Sequence, residues 1–259
     1  MHKPVRYPCI QGCRKGFGMQ SAEFMSEQAV REDLAAVYRL IARFGMDDLI
    51  HTHVSARLPQ EPDKLLINRY GDLFREVTPD SLLVIDHQGN QVRGTQAPIN
   101  TAGIVIHTAI HAARPDAMCV VHTHTVAGVA VSCLEEGLLP LNQTALLFHG
   151  RVSYHDFEGI ALDRDEQVRL VADLGSNNTM ILRNHGLLTV GRTVGEAFGL
   201  MYNLEQACKM QLAAMASGAR LVIPPESVQA RTVGQYDADP DGAAGLEWQA
   251  LRRLAALPF

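Results

Sequence analysis

The sequence has little of what secreted, membrane-spanning and nucleic-acid-binding proteins require. Its 259 residues include five cysteines, an odd and scattered set that indicates reduced thiols and a cytoplasmic protein. No apolar run approaches the ~18 residues of a membrane span. Residues 1–24 carry basic side chains but no apolar core, so we predict an N-terminal tail and not a secretory signal. The net charge of −5 argues against nucleic acid and membrane surfaces as partners.

The hydrophobic pattern predicts a globular domain that mixes helices and strands. Apolar residues make up 47% of the chain and charged residues 20%, which excludes a disordered protein or a coiled coil. We expect helices over 27–44, 101–114, 125–134, 163–174 and 193–217, and extended segments over 54–58, 65–68, 82–86, 91–93, 118–121, 144–154, 180–183 and 187–190. Several strands are adjacent in sequence, which indicates a mixed or antiparallel sheet covered by helices. Beyond residue 225 the composition predicts a polar linker and then a short helix over 246–257.

Histidine is unusually frequent, with eleven copies. His122 and His124 follow an apolar strand and, being two residues apart, project from the same face of it. Such a pair can bind one metal ion or simply share hydrogen bonds in a polar cleft. His185, in a turn between two short strands, is the best candidate for a third ligand, although an ordinary turn histidine is the alternative.

A second histidine pair, His107 and His111, competes for a metal role. The two residues lie four apart on a predicted helix and therefore share a face. No glutamate follows His107, so the metalloprotease pattern of two histidines around a glutamate is absent. We interpret the pair as lining a cavity or as joined in a polar seam.

Several motifs, taken in order, resemble the class II aldolase/adducin family. They are Pro115-Asp116 before His122-Thr123-His124, Asn184-His185-Gly186-Leu187, His53-Val54-Ser55-Ala56-Arg57, Leu66-Ile67-Asn68, Phe148-His149-Gly150 and the last long helix. The likeness covers about residues 25–218 and is greatest for the bacterial adducin-like branch. It implies a three-layer α/β/α domain around a mainly antiparallel sheet, with residues 219–259 as a linker and short helix packing on a neighbouring subunit.

The resemblance also implies a metal site and an assembly. The family's metal, usually zinc, is held by histidines that match His122, His124 and His185, and imidazole also suits manganese, iron or cobalt. Three protein ligands leave open positions at which a hydroxy or keto acid can bind, and the ion then stabilises an enolate. Members usually form homotetramers with the active site between subunits, so we expect self-association.

The sequence departs from the aldolase pattern at the catalytic base. The aldolases carry a glutamate at the position of Gly103, and glycine cannot remove a proton. His53 is one replacement, although it could equally make a structural hydrogen bond. His149 is a candidate proton donor, and an inert cavity residue is the alternative.

The predicted substrate-binding residues are also altered. Where the aldolases place Asn-x-Ser and a serine pair around a phosphate, this chain has His53 before Ser55, and Thr101-Ala102. We expect Ser55, Asn68 and Thr101 to bind substrate, with Arg57 or Arg69 pairing with a carboxylate unless it is an ordinary surface arginine.

These features favour a metal-dependent lyase that breaks a carbon–carbon bond in a small hydroxy or keto acid. Decarboxylation fits the missing glutamate because it needs an electron sink but no base for bond cleavage, while retro-aldol cleavage requires a replacement base. The alternative is a non-catalytic adducin-like scaffold of the actin-binding type. The intact histidine set favours the enzyme.

Overall fold

A computed structural model describes residues 25–161, 164–238 and 242–259. The predicted N-terminal tail, residues 1–24, lies outside this range. Eight strands form one sheet in the order β4-β3-β2-β1-β5-β8-β7-β6. Every neighbouring pair is antiparallel except β6 and β7, which are parallel. The strands are β1 His53–Arg57, β2 Lys64–Ile67, β3 Leu83–Asp86, β4 Gln91–Arg93, β5 Cys119–Thr123, β6 Val152–His155, β7 Thr179–Leu182 and β8 Gly186–Gly191.

Helices cover both faces of the sheet, so the predicted three-layer α/β/α fold is confirmed. The helices are α1 Glu27–Arg43, α2 Thr101–Ala113, α3 Val126–Ser132, α4 Gln143–Leu146, α5 Glu166–Leu174, α6 Val194–Ala216, α7 Glu226–Asp237 and α8 Gly242–Ala256. On one face α1 and α6 bury apolar side chains such as Leu34 and Phe198 against Val54 and Val121 of the sheet. On the other face α2 and α5 form a separate apolar cluster with β5, β7 and β8.

The helix boundaries follow from capping side chains near the predicted positions. The Ser26 hydroxyl accepts a hydrogen bond from the Ala29 amide at the start of α1, and the Asn100 side chain accepts from two amides at the start of α2. Thr193 caps α6 in the same way. Asn100 fixes the point at which α2 begins, and this point lies beside the candidate site described below.

Two local predictions are wrong. Residues 144–154 are not extended throughout, because α4 occupies Gln143–Leu146 and only β6, Val152–His155, is a strand. The Asn142 side chain caps α4 by accepting from the Ala145 amide, a short-range signal that overrides the apolar pattern. The segment after Pro225, predicted as a polar linker, is largely helix α7. The Tyr236 hydroxyl of α7 donates a hydrogen bond to the Gln143 carbonyl oxygen at the start of α4.

The C-terminal helix packs on its own chain. Helix α8 contacts α1 and α6, and Trp248 lies over Gly195 at the start of α6. Arg39 donates to the Ala255 carbonyl oxygen over 2.8 Å, and Arg43 donates to the carbonyl oxygen of Pro258 over 2.7 Å. Packing of this segment on a neighbouring subunit therefore stays a prediction. Across the described residues, no helix is both long and apolar enough to cross a membrane.

Candidate metal centre

Three histidines converge at the end of the central strands. His122 lies near the end of β5, directly opposite His53 of β1, and His124 follows two residues later on the same face. His185 approaches from the turn between β7 and β8. The Nε2 atoms of His122 and His124 are 2.9 Å apart, and those of His124 and His185 are 3.1 Å apart. The structure therefore brings the three predicted ligands together.

The turn that carries His185 has special backbone requirements. Asn184 has a φ of 55°, in the left-handed region that asparagine tolerates better than most residues. A Cβ atom on Gly186 would lie 2.4 Å from the carbonyl oxygen of Thr123, which is closer than any real contact. The flanking residues therefore let this turn pass tightly against β5, which places the His185 ring beside His124.

The hydrogen-bond acceptors around the rings determine where their protons lie. His122 Nδ1 is 2.9 Å from the carbonyl oxygen of Leu187, and His124 Nδ1 is 3.1 Å from a carboxylate oxygen of Asp48. Because a carbonyl and a carboxylate can only accept, each of these Nδ1 atoms carries a proton, and in a neutral ring the Nε2 atom then presents a lone pair. Two such lone pairs facing each other at 2.9 Å repel unless a cation lies between them.

The protein environment keeps the rings of His122 and His185 neutral, which is the form that binds metal. Burial lowers the pKa of His122 well below its ordinary value, and the neighbouring His185 and His124 lower it further. Burial, and then the nearby His124, lower the pKa of His185 to about 4. The potential ligand atoms all lie within 4.8 Å of one another. Three neutral imidazoles at this spacing suit a divalent cation with open coordination positions.

A cavity of about 480 Å³ opens beside the three rings. Its apolar wall consists of Tyr70, Ile99, Ala102, Ile106, Phe157, Ile160 and Ala161, and its other polar residues are Asp48, His51, His53, Asn100 and Thr101. Neither lysine nor arginine is among the described residues that line it. The cavity can therefore hold a small molecule against the histidines, but it offers no cationic side chain of its own to a phosphate.

His53 and Thr101 are the other predicted site residues in this cavity. Thr101 lies exposed at the first position of α2. His53 is buried, and its Nδ1 lies 2.8 Å from Nε2 of His107. A Cβ atom on Gly103 would lie 2.6 Å from Cδ2 of His53, so the His53 ring fills the space that a side chain at position 103 would need. The two departures from the aldolase pattern are therefore structurally linked.

The other predicted substrate residues lie outside the cavity. Ser55 is fully buried, and its hydroxyl contacts ring nitrogens of His107 and His111. The side-chain oxygen of Asn68 accepts from the hydroxyl of Tyr38. Ser55 and Asn68 therefore both make hydrogen bonds within the fold. The contacts of Ser55 with the two rings confirm the polar seam predicted for His107 and His111.

Arg57 and His149 are also away from the three histidines. Arg57 is buried at the opposite end of β1 from His53, where its guanidinium donates to the carbonyl oxygens of Ala117, Pro62, His111 and Arg114. It is neither a surface residue nor available to a substrate carboxylate in this structure. His149 is exposed and borders a different cavity, formed with α4 and β6.

Asp48 is a site residue that the sequence did not reveal. It follows α1 in a loop with no regular pattern, and only the fold brings its carboxylate to His124. Carboxylates that accept from a ligating histidine commonly fix the orientation of its ring. Asp48 has this relation to His124.

Comparison with known proteins agrees with this geometry. Residues 32–212 match the model of the class II aldolase and adducin N-terminal domain. The chain belongs to the class II aldolase/adducin family. An aldolase II superfamily protein from Pseudomonas syringae has a solved structure that is 48% identical, with a TM-score of 0.86 over 89% of this chain and 93% of that one. The matched range of this class II aldolase/adducin chain contains every strand and all three histidines.

Two further relatives represent the two functional sides of the family. The L-fuculose 1-phosphate aldolase from Glaciozyma antarctica has a solved structure that is 28% identical, with a TM-score of 0.80 over 93% of this chain and 94% of that one. Alpha-adducin from Rattus norvegicus is 43% identical over 215 residues, which are 82% of this chain but only 29% of the adducin. Enzymes of the class II aldolase family are generally metal-dependent lyases, and His122, His124 and His185 are the residues that could hold the ion here.

Proposed function

We propose that this protein is a metal-dependent lyase that breaks a carbon–carbon bond in a small hydroxy or keto acid, by decarboxylation or retro-aldol cleavage. The observation that carries the proposal is the convergence of three histidine Nε2 atoms at the wall of an open cavity. A pure scaffold has no need of this arrangement, because lone pairs held together without a cation repel one another. Zinc is the proposed ion, with manganese, iron and cobalt as alternatives.

The chain's own residues would share the work with the ion. A divalent cation held by His122, His124 and His185 would supply Lewis-acid stabilisation of negative charge on a substrate oxygen. Asp48 orients His124 by accepting a hydrogen bond from its Nδ1. His53 lines the same cavity, and we propose it as the catalytic group that takes the place of the aldolase glutamate. Thr101, exposed at the start of α2, is the remaining proposed substrate contact.

The wall of the cavity supports an unphosphorylated substrate. A phosphate site needs several donors or a cationic side chain. The amides of Ala102 and Gly103 at the start of α2 are already used by the side chain of Asn100, at 3.1 and 3.3 Å. Apolar side chains, among them Ile99, Ile106 and Phe157, form much of the remaining surface. A small acid with an apolar part fits this wall.

Self-association forms a second part of the proposal. Three apolar side chains near the candidate site are largely exposed. Leu49 and Val126 follow Asp48 and His124 closely in sequence, and Ile160 lies in the cavity wall; they are 68%, 88% and 77% exposed. Covering such side chains with a second copy of the chain removes apolar surface from water. We propose a homotetramer, and light scattering coupled to gel filtration measures the mass directly. A cytoplasmic location stays a prediction.

Metal content and activity test the lyase proposal together. Elemental analysis should find close to one divalent ion per chain, and removing the ion should abolish cleavage of hydroxy and keto acids. A screen that follows carbon dioxide release and aldehyde release separately distinguishes decarboxylation from retro-aldol cleavage. Absence of stoichiometric metal in protein purified without chelators would contradict the proposal.

An adducin-like scaffold is the second candidate, favoured by the identity to alpha-adducin. Co-sedimentation with actin filaments tests it directly. Binding to filaments together with absence of metal would favour the scaffold over the enzyme. Metal-dependent cleavage without filament binding would favour the enzyme.

A further inference from the structure

A continuous line of hydrogen bonds is buried between β1 and α2, behind the candidate metal centre. His53 Nδ1 lies 2.8 Å from His107 Nε2, and His107 Nδ1 lies 2.6 Å from the Ser55 hydroxyl. The same hydroxyl lies 2.8 Å from His111 Nε2, and His111 Nδ1 lies 2.9 Å from the carbonyl oxygen of Ala117. We call these four side chains, with that carbonyl, the histidine chain. All four side chains are at most 3% exposed.

The carbonyl at the far end determines the direction of every bond in the histidine chain. A carbonyl only accepts, so His111 Nδ1 carries a proton, and the Nε2 of a neutral His111 must accept from the Ser55 hydroxyl. A hydroxyl has one proton, so Ser55 in turn accepts from His107 Nδ1. The Nε2 of a neutral His107 then accepts from His53 Nδ1. Each donor therefore points away from the cavity.

We propose that His107, Ser55 and His111 are positioning residues that hold His53 in its Nδ1-protonated form, so that His53 Nε2 presents a lone pair to the substrate cavity. The opposite tautomer would present a donor there. Which nitrogen of a histidine carries the proton is decided by the partner of the other nitrogen, and here that partner is the nearest member of the histidine chain. His107, Ser55 and His111 are buried and are not among the described residues that line the cavity, so they act on it only through His53.

Burial keeps the rings of the histidine chain neutral, as the direction of its bonds requires. Burial, and then the guanidinium of Arg57, lower the pKa of His111 to about 3. Burial and the adjacent His111 lower the pKa of His107 well below its ordinary value. Arg57 is the cation packed at the far end, and it donates to backbone carbonyl oxygens that include those of His111 and Ala117. No proton has to be added or removed for the chain to be fully bonded.

The functional consequence rests on the proposed function. If the protein is a lyase, His53 Nε2 can accept a hydrogen bond from a substrate hydroxyl, which a base in place of the aldolase glutamate must do first. Gly103 is part of the arrangement, because a Cβ atom there would meet the His53 ring at 2.6 to 2.9 Å and push it off its partner. The lack of a side chain at position 103 thus lets the histidine chain reach the cavity.

The direction of the histidine chain can be observed without any reaction. Long-range proton–nitrogen NMR spectra of metal-free protein labelled with nitrogen-15 in histidine distinguish the two neutral tautomers at pH 7.5. Single His→Gln variants assign the signals. We expect His53, His107 and His111 all to be protonated at Nδ1. A His53 signal from the Nε2-protonated form in the unmodified protein would overturn the proposal, whether or not the protein proves to be a lyase.

A matched pair of variants tests whether the chain sets the tautomer. In Ser55→Ala, His107 Nδ1 loses its acceptor, so we expect His107 to donate through Nε2 and His53 to become mainly Nε2-protonated. Ser55→Thr keeps the hydroxyl and should keep the original His53 signal. An unchanged His53 signal in folded Ser55→Ala would overturn the role of the chain. If catalysis is present, kcat should fall at least tenfold in Ser55→Ala with KM little changed, and recover in Ser55→Thr.

Discussion

The chain uses buried histidines in two neighbouring but different ways. At the end of β5 the Nε2 atoms of His122, His124 and His185 converge, so three neutral rings there need a cation to bridge them. Between β1 and α2 the rings of His53, His107 and His111 are joined donor to acceptor, so that group is complete in itself. The rings of His53 and His122 are 5.1 Å apart at the boundary.

The difference lies in what each Nδ1 meets. In the metal group, Leu187 accepts a hydrogen bond from His122 Nδ1 and Asp48 accepts one from His124 Nδ1, which leaves the Nε2 atoms of these two rings facing each other. In the histidine chain, each ring donates a hydrogen bond to the next member. The lone pair of His53 Nε2 therefore stands alone at the cavity end. The arrangement of acceptors around a histidine therefore decides whether it becomes a ligand or a hydrogen-bonded link.

Removing one ligand should have the largest effect and should act only on the metal group. We expect His122→Ala to lose stoichiometric metal and at least ~1,000-fold of any lyase activity, because two imidazoles hold a divalent ion far more weakly than three. Elemental analysis and the metal-induced shift in melting temperature measure the first effect. His149→Ala, an exposed histidine in the same chain, is the matched control and should keep its metal. Retention of metal by His122→Ala would contradict the assigned ligand set.

Acid should destabilise both groups in the metal-free protein. Unfolded histidine titrates near 6.5, whereas burial lowers the pKa of His111 to about 3 in the folded protein. Between these values the unfolded state binds more protons, so stability is fully present above pH 6.5 and falls as the pH drops through this window. Each ring that stays neutral contributes a slope of ~1.4 kcal/mol per pH unit. Urea unfolding between pH 7.5 and 4.5 measures it, and a flat profile would contradict the assigned neutrality.

The link between the two groups can be broken at Gly103. A methyl group there lies 2.6 Å from His53, so Gly103→Ala should destabilise the protein by ~1–3 kcal/mol. In a His53→Ala background the same substitution should cost much less, because the clashing ring is gone. Urea unfolding of the four proteins gives the coupling energy. Equal costs in both backgrounds would show that the ring moves aside freely.

A milder substitution tests how much Asp48 contributes to metal binding. Asp48→Asn keeps an acceptor beside His124 but removes the negative charge, so we expect metal affinity to fall roughly tenfold. Competition with a metal-binding dye measures the dissociation constant. Asp47→Asn, one residue earlier on an exposed side chain, is the control and should leave the affinity unchanged. An equal loss in both variants would indicate a general charge effect.

His149 should have the smallest effect. Because it is exposed and borders a different cavity from the metal group, His149→Ala should change activity less than twofold if one chain forms the whole site. Steady-state kinetics measures this. A large loss would instead support the prediction that His149 is a proton donor, contributed to the site by a neighbouring copy.

Much of the metal group could be predicted from sequence because its requirements are local. Strand alternation puts His122 and His124 on one face, and Asn184 and Gly186 predict the tight turn that carries His185. The fold class followed from adjacent strands between helices in the same way. These features depend on residues a few positions apart, and the structure confirms the architecture.

The histidine chain could be predicted only in part, because its members come from two elements. The helix spacing of His107 and His111 indicated a polar seam, but nothing local indicates that Ser55 bridges them or that Arg57 folds onto their carbonyl oxygens. The same limit applies to Asp48, which lies 76 residues from its partner His124. Packing of α2 on β1 creates the contacts of the histidine chain, and the sequence of either element alone does not specify its partner.

The order of the strands also has a consequence for how the protein is made. His185 lies 61 residues after His124, and the three ligands meet only because β5 and β8 are neighbours in the sheet. A ribosome must therefore release most of the polypeptide before the third imidazole can reach the other two. Capture of the ion reports that synthesis has passed the β7–β8 turn and that the distant strands have found each other.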